Sequence, residues 1–259
     1  MISKDKYKIK LVSIILPTYN EAENIIDLIK EINKFVKHRK EFIVVDDNSP
    51  DLTSDIVKKF IKKNKNIRVK LETRYKDRGL TNSIRRGIEL ANGDVVVWLD
   101  CDFSMPPDVI SKLLSKIENG NDIAVGSRFV KDGGFKIENS KGQKDSPIAI
   151  VMSRLMNFTI QMMLGNNFKD YTSGFIAIKK NVFKKVSLRG DYGEYFIDLI
   201  YKARANKFKT VEIGYICIPR EKGESKTGQN LGQFLKRGKK YIYLAFQLLV
   251  EKHILRKIP

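Results

Sequence analysis

The chain alternates short apolar runs with segments in which apolar residues recur every three or four positions. The runs at residues 11–16, 41–45, 67–72, 94–99 and 122–127 predict buried strands, and the segments between them predict helices. Repeated strand–helix units of this length are typical of a parallel sheet with helices on both faces. The first half of the chain is therefore predicted to be an α/β unit with a doubly wound, mainly parallel sheet.

The second half is less regular. Residues 131–146 are polar and contain glycines, which is typical of a loop, and residues 147–164 form an apolar segment rich in methionine that predicts a long helix. Residues 175–178 and 211–218 predict further strands. A last amphipathic helix is expected over residues 231–257.

Two aspartates on alternate positions follow the fourth predicted strand. The apolar residues 95–99 run directly into Asp100, Cys101 and Asp102. Ligands of open α/β sheets bind at the carboxyl ends of the strands. Two hard oxygen ligands there suit a divalent cation that keeps positions open for substrate phosphates. The alternative is a strand that ends in solvated acids.

Polar segments also follow the first two strands, at residues 17–21 and 46–51. In a parallel sheet all three strand ends lie on one edge. This order of acidic groups suits a nucleotide sugar, with one acid for the base or ribose and the Asp100/Asp102 pair holding a metal against the diphosphate. No glycine-rich phosphate loop is present. Taken alone, residues 46–51 also fit an ordinary turn.

The chain is strongly basic, with a formal net charge of +19 over 259 residues and a pI of about 9.7. Such an excess predicts an anionic partner: nucleic acid, an anionic membrane or a phosphorylated substrate. No nucleic-acid module signature appears, so nucleic acid is the alternative and not the expected partner. The two cysteines form no metal-type pair, which favours a reducing compartment. No stretch approaches the ~20 apolar residues of a membrane span.

Seven segments carry recognisable motifs: LPTYNE at 16–21, VDDNSPD at 45–51, GL at 79–80, DCD at 100–102, GSR at 126–128, DYTSGF at 170–175 and GESK at 223–226. Together they resemble family 2 glycosyltransferases with the GT-A fold. More narrowly, they resemble the dolichyl-phosphate mannose synthase group of polyprenyl-phosphate sugar synthases. The resemblance implies a GT-A catalytic domain over residues 1–230, followed by an amphipathic, membrane-interfacial helix over 231–259.

The resemblance also implies a set of donor-binding residues. These are Pro17, Tyr19, Glu21, Asp46, Asp100, Asp102, Arg220 and Lys226. The first four would line the nucleoside pocket. The pair at 100 and 102 would flank Mg²⁺ or Mn²⁺ and the donor diphosphate. The two late cations would neutralise the donor phosphates as their loop closes.

For the acceptor, the resemblance implies dolichyl or polyprenyl phosphate, with its phosphate bound by Arg128 and Ser153. Catalysis would then depend on Asp102, Arg128 and Arg220. The acceptor phosphate is already anionic near neutral pH and needs no strong general base, so catalysis would rest on positioning and on stabilising the leaving group. In-line attack would invert the anomeric carbon.

Some positions depart from the group's pattern. Ala149 stands where an arginine is common four positions before the serine aligned to Ser153, and Lys144 or Arg154 is a candidate substitute. Asn48 and Leu52 replace glycines usual in mannose-specific members. GDP-mannose is the first expected donor, and UDP-N-acetylglucosamine and UDP-glucose are the alternatives.

A polyprenyl acceptor requires an approach to the bilayer. The last helix has basic residues beside aromatic and aliphatic ones, which suits an interfacial helix on anionic lipid, and the methionine-rich helix is a possible second contact. We therefore expect a peripheral protein on the cytoplasmic face of a membrane. The alternative is that both apolar faces pack on the domain or form a dimer.

Overall fold

The computed structural model describes residues 7–140, 142–144, 146–220 and 231–258, with the backbone alone for 231–237. The main sheet contains β1 (Val12–Thr18), β2 (Lys40–Asp46), β3 (Val69–Thr73), β4 (Val95–Trp98), β5 (Ile123–Ser127), β7 (Ile176–Lys179) and β8 (Thr210–Gly214). A separate pair is formed by β6 (Gly134–Phe135) and β9 (Ile216–Cys217). The helices are α1 (Ile25–Phe35), α2 (Thr53–Lys63), α3 (Leu80–Leu90), α4 (Val109–Glu118), α5 (Pro147–Leu164), α6 (Glu194–Ala205) and α7 (Leu231–His253), with a 3₁₀ helix at Lys180–Lys184.

The strand order of the main sheet is β3-β2-β1-β4-β7-β5-β8. All neighbouring strands are parallel except β7, which is antiparallel to both β4 and β5. The predicted doubly wound, mainly parallel sheet is confirmed. The chain winds outward in one direction from β1 and in the other from β4, so these two strands flank a topological switch point. The carboxyl ends of strands at such a point are where α/β sheets bind ligands.

Successive residues of each strand supply two apolar cores, one on each side of the sheet. Ile14 and Leu16 pack with residues of α1, α2 and α4, whereas Ile15 packs with residues of α3, α6 and α7. Both faces of the sheet are therefore covered, which explains why its strands read as continuous apolar runs.

Two parts of the second half differ from the sequence prediction. Helix α6 has no clear polar face because it is buried around most of its circumference, including Glu194 and Asp198, so its periodicity gave no signal. The segment predicted as one strand over 211–218 is divided between β8 and β9. At Gly214 a side chain would overlap the carbonyl oxygen of Lys131, so the chain can bend there against the preceding loop.

Helix α5 is long and apolar enough to cross a membrane, judged by length and composition only. Its mean hydropathy over Pro147–Leu164 is 1.3, and 11% of this segment is buried. This corrects the expectation that no segment reaches that threshold. Its buried side tethers it to the domain, since Asn157 accepts a hydrogen bond from the N–H of Tyr171 at 2.9 Å and donates to the carbonyl of Lys169.

Helix α7 is packed onto the rest of the molecule. Leu244 and Leu248 are buried in the same core as Ile15, and α7 contacts both α5 and α6. Residues 231–253, expected to form an appended helix, therefore complete one of the two apolar cores. Ile242, Tyr243 and Phe246 remain exposed on its outer side.

Candidate active site

The carboxyl ends of β1, β2 and β4 meet at one edge of the sheet, where they open into a cavity of about 440 Å³. We call it the donor cavity. The donor-binding residues predicted from the sequence that line it are Pro17, Tyr19, Glu21, Asp100, Asp102 and Arg220. The structure therefore brings together groups that are separated by up to about 200 positions in the chain.

Asp46, also predicted for the nucleoside pocket, does not line this cavity. It is fully buried, and its carboxylate accepts hydrogen bonds from the hydroxyls of Thr18, Ser49 and Ser54 and from the N–H of Ser49. Four donors fill the four lone-pair positions of a carboxylate. Asp46 thus fixes the turn after β2 and has no accepting position left for a nucleoside.

The neighbouring Asp47 lines the donor cavity instead. Its Oδ1 accepts from Arg74 at 3.0 Å and Ser83 at 2.8 Å, and its Oδ2 accepts from the N–H of Gly79 at 2.6 Å. Successive residues at a strand end point to opposite sides. Asp46 therefore faces the interior, and Asp47, one position later, faces the cavity. The sequence indicates that the two acids face opposite sides but not which of them faces the cavity.

Asp100 and Asp102 lie together at the inner end of the donor cavity, and Glu21 is near enough for its charge to act on Asp100. Asp102 lies 2.7 Å from the guanidinium of Arg220 and accepts a hydrogen bond from the N–H of Ser104 at 3.0 Å. Asp100 is open to the cavity but deep within the cleft, and desolvation, followed by the charges of Asp102 and Glu21, raises its pKa to about 7. A divalent cation would relieve this repulsion, so the donor set fits the expected metal.

The described residues contain no group of three or more metal-ligating side chains. Two carboxylates are consistent with a cation that takes its remaining ligands from water and from a bound diphosphate, as Mg²⁺ commonly does. Asp100 and Asp102 are the residues that would hold it.

A second cavity of about 310 Å³ adjoins the first and shares Asp100, Asp102 and Arg220 with it. We call it the acceptor cavity. Arg128 and Ser153, predicted to meet an acceptor phosphate, both line it. So do other residues of α5 and apolar side chains from several elements: Ala149, Ile150, Met105, Phe135, Phe196 and Ile218.

Arg128 is held rigidly in this cavity. Its Nε and Nη2 donate to the two oxygens of Asp170 at 2.9 and 2.8 Å, and Nη2 also donates to Thr172 at 2.8 Å. Burial alone would favour the neutral guanidine, but the charge and hydrogen bonds of Asp170 outweigh it and raise the pKa of Arg128. The guanidinium is therefore permanently charged and fixed in direction, and its Nη1 group, which makes none of these contacts, is the part that suits a phosphate.

Asp170 is itself fixed by its surroundings. The N–H groups of Lys169 and Asp170 donate to Glu212 at 2.7 and 2.9 Å, and Asn157 of α5 binds the backbone on either side of it. The segment at residues 170–175 (DYTSGF) thus holds the Arg128 side chain in place through Asp170 and Thr172.

Other predicted positions are placed as follows. Lys226 and the GESK segment lie outside the described residues. Lys144 pairs with Glu138 at 3.3 Å, and Arg154 stacks on the ring of Phe135, a wall of the acceptor cavity. The sequence did not point to Asp191 or Tyr192 of the donor cavity, because they precede the unpredicted α6.

The family model described as glycosyl transferase family 2 matches residues 13–187 of the chain. Among curated proteins, the chain is 37% identical over 235 residues to a dolichol-phosphate mannosyltransferase of Pyrococcus furiosus, covering 87% of this chain and 62% of that protein. It is 32% identical over 225 residues to a polyprenol monophosphomannose synthase of Mycolicibacterium smegmatis, covering 84% and 82%. The chain thus spans less than two thirds of the Pyrococcus relative.

Solved structures share the fold. A mannosyltransferase from Pyrobaculum calidifontis in complex with GDP-Man and Mn²⁺ superposes with a TM-score of 0.63 at 15% identity, covering 95% of this chain and 65% of that chain. At 15% identity this match supports the fold alone.

Proposed function

The chain belongs to glycosyl transferase family 2 and has the GT-A fold, and from this premise we propose that it transfers one sugar from a nucleotide sugar to a polyprenyl phosphate. The observation that carries the proposal is the junction of two cavities at Asp100, Asp102 and Arg220. One cavity has the carboxylates that suit a metal-bound diphosphate, and the other has a fixed arginine that suits a phosphate monoester. A reaction that joins two phosphorylated substrates needs such a shared boundary.

In the donor cavity, Asp47 has three of its four lone-pair positions filled and would accept one hydrogen bond from the nucleoside, with Pro17 and Tyr19 as the apolar wall. Asp100 and Asp102 would hold Mg²⁺ or Mn²⁺, which neutralises the diphosphate and makes it a better leaving group. Arg220 would exchange its contact with Asp102 for the diphosphate when the donor binds. The role of Lys226 as a second cation for the donor phosphates stays a prediction from the sequence.

In the acceptor cavity, Arg128 and Ser153 would fix the acceptor phosphate. One of its oxygens attacks the anomeric carbon, while the bond from that carbon to the nucleoside diphosphate breaks and its electron pair leaves with the diphosphate. A phosphate monoester is mostly ionised at pH 7, so no proton need be removed. The stereochemical result is inversion.

We propose GDP-mannose as the donor, because the two curated relatives are named as mannose transferases to polyprenol phosphates. UDP-N-acetylglucosamine and UDP-glucose are the alternatives that a donor panel would separate. The absence of nucleic acid among the partners stays a prediction.

We further propose that the protein lies on the cytoplasmic face of a membrane. Along α5, five apolar residues spaced three or four apart stay exposed; we call them the α5 stripe: Ile148, Val151, Leu155, Phe158 and Met162. Helix α7, which contacts α5, also has exposed apolar side chains, and the exposed lysines along α7 suit anionic lipid. The stripe starts beside Ala149 and Ile150 of the acceptor cavity, where a polyprenyl chain would enter.

A donor panel tests the function. Purified protein, Mg²⁺ or Mn²⁺ and a polyprenyl phosphate are mixed with each nucleotide sugar, and the lipid fraction is analysed by mass spectrometry. One new glycosyl-phosphoryl lipid, absent with Asp102→Ala, is the expected result. A folded wild-type protein that gives no lipid product with any donor would contradict the proposal, and full activity of Asp102→Ala would contradict the metal assignment.

A further inference from the structure

The segment between Arg189 and Gly193 forms a wall shared by the two cavities. Asp191 and Tyr192 line the donor cavity, and Tyr192 and Gly193 line the acceptor cavity. The segment is pinned on its inner side, since the carbonyl of Tyr192 accepts from Thr81 at 3.1 Å. The segment thus faces the donor cavity at Asp191 and the acceptor cavity at Gly193, with Tyr192 between them.

The C-terminal helix α7 holds this wall at three points. Arg189 pairs with Glu251, and Lys240 lies 2.8 Å from the carboxylate of Asp191. The third point is Tyr241, whose hydroxyl lies against Gly193. The contacts come from two places on α7, residues 240–241 and residue 251, so α7 supports the segment at three of its five residues.

Tyr241 and Gly193 fit each other closely. A β-carbon on Gly193 would overlap the hydroxyl of Tyr241 and lie 3.1 Å from its Cζ. Gly193 has a φ of −63°, which any residue can adopt. The glycine is therefore required by the space that the tyrosine hydroxyl takes, and not by backbone conformation.

Tyr241 also lines the acceptor cavity, although it comes from the end of the chain that carries no recognisable motif. Burial of Leu244, Ala245 and Leu248 already anchors α7 in the core. The hydroxyl of Tyr241 instead sits at the cavity wall, between that anchor and the start of α6. This location gives the residue a role in the site beyond packing.

We propose that Tyr241 is a positioning residue for the lipid-phosphate acceptor, so that the acceptor site is complete only when α7 is seated against the 189–193 segment. The inference rests on the proposed function and adds to it a helix outside the recognised motifs. It predicts that changes at Tyr241 act on the acceptor and spare the donor.

The test uses the full chain, a short polyprenyl phosphate such as farnesyl phosphate, which needs no vesicle, and the donor accepted in the panel. Tyr241→Ala is expected to raise the KM for farnesyl phosphate about tenfold, because both the ring that lines the cavity and its hydroxyl are lost. The donor KM is expected to change less than about twofold. Tyr241→Phe, which keeps the ring and loses only the hydroxyl, should raise the acceptor KM about threefold. Tyr7→Phe, at the opposite end of the sheet, is its matched control and should leave both constants unchanged.

A second pair of variants tests the geometry without removing the ring. Gly193→Ala should displace the Tyr241 hydroxyl and raise the acceptor KM as Tyr241→Ala does. In Gly193→Ala/Tyr241→Phe the overlap with the hydroxyl is gone, and the KM should return to that of Tyr241→Phe. Thermal unfolding of each variant confirms that the protein is folded.

The outcomes separate the two proposals. Wild-type transfer with an acceptor KM unchanged in Tyr241→Ala and Gly193→Ala would overturn the role of Tyr241 and leave the reaction standing. A double variant no better than Gly193→Ala would overturn the geometry. Absence of any transfer by the wild type would overturn the proposed function itself, and the acceptor role with it.

Discussion

The guanidinium of Arg220 lies 2.7 Å from the carboxylate of Asp102, on the boundary between the donor and acceptor cavities. The same carboxylate is one of the two that would hold the divalent cation. Arg220 and the cation therefore compete for Asp102 until a diphosphate offers the arginine another anionic partner. Donor binding would therefore remove the charge of Arg220 from Asp102 and leave this carboxylate to the cation.

This competition predicts two opposite effects of Arg220→Ala. The concentration of Mn²⁺ that half-saturates the protein without substrate should fall severalfold, because a competing cation is removed. The kcat should fall about 100-fold, since a charge that stabilises the leaving diphosphate is lost. Mn²⁺ titration by electron paramagnetic resonance and steady-state kinetics measure the two effects. Arg220→Lys is the control and should lie between the two proteins; weaker metal binding in Arg220→Ala would contradict the competition.

The adjacent acids Asp46 and Asp47 should separate stability from donor binding. Asp46→Asn places an amide among four donors, so the free energy of unfolding should fall by about 1–3 kcal/mol while the donor KM of the folded protein stays within about twofold. Asp47→Asn should raise the donor KM about tenfold or more and leave the acceptor KM unchanged. Denaturant unfolding and donor titration of both variants give the comparison. If Asp46→Asn instead changed the donor KM alone, Asp46 would be the nucleoside-binding acid, as predicted from the sequence.

Glu41 lies at the opposite end of the sheet and contributes to stability. Its fully buried carboxylate accepts from Ser13 at 2.8 Å and from the N–H of Asn92 at 2.7 Å, with Lys70 at 3.3 Å. Burial alone would raise the pKa, but the hydrogen bonds from Asn92 and Ser13 and the charge of Lys70 lower it from its usual 4.5. A lowered pKa in the folded state contributes stability above the unfolded-state pKa, and this stability is lost as the pH falls through the folded-state value.

Glu41→Gln should therefore destabilise the protein at pH 7 by about 1–3 kcal/mol. The difference from the wild type should stay constant down to about pH 5 and shrink below that value as the wild-type carboxylate is protonated. Denaturant unfolding at several pH values measures it. Glu89→Gln, an exposed member of a surface pair, is the control and should change stability by less than about 0.5 kcal/mol. A difference that is independent of pH would exclude the charge as the cause.

The sequence was sufficient wherever a strand end marked the site. An apolar run leading into Asp100 and Asp102 located the acidic pair, and the parallel order placed Pro17, Tyr19 and Glu21 on the same edge. It could not decide between Asp46 and Asp47, because the choice depends on which side of the sheet each faces.

The sequence could not predict contacts between elements that are far apart in the chain. Asp191, Tyr192 and Tyr241 join the cavities through the packing of α6 and α7, and neither their spacing nor a motif marks them. The antiparallel direction of β7 likewise follows from tertiary packing, since its apolar run fits either direction.

The α5 stripe should bind a membrane through its apolar side chains. Leu155 and Phe158 are 56% and 59% exposed, and burying the exposed part of each in lipid is worth about 1–2 kcal/mol. Leu155→Glu/Phe158→Glu should therefore weaken co-sedimentation with vesicles of anionic phospholipid at least about tenfold, while transfer to soluble farnesyl phosphate stays near the wild-type rate. Tyr75→Glu, on another exposed aromatic residue, is the control and should bind vesicles normally. If the wild type sediments as a dimer and the double variant as a monomer with vesicle binding intact, the stripe is a self-association surface and the membrane assignment is wrong.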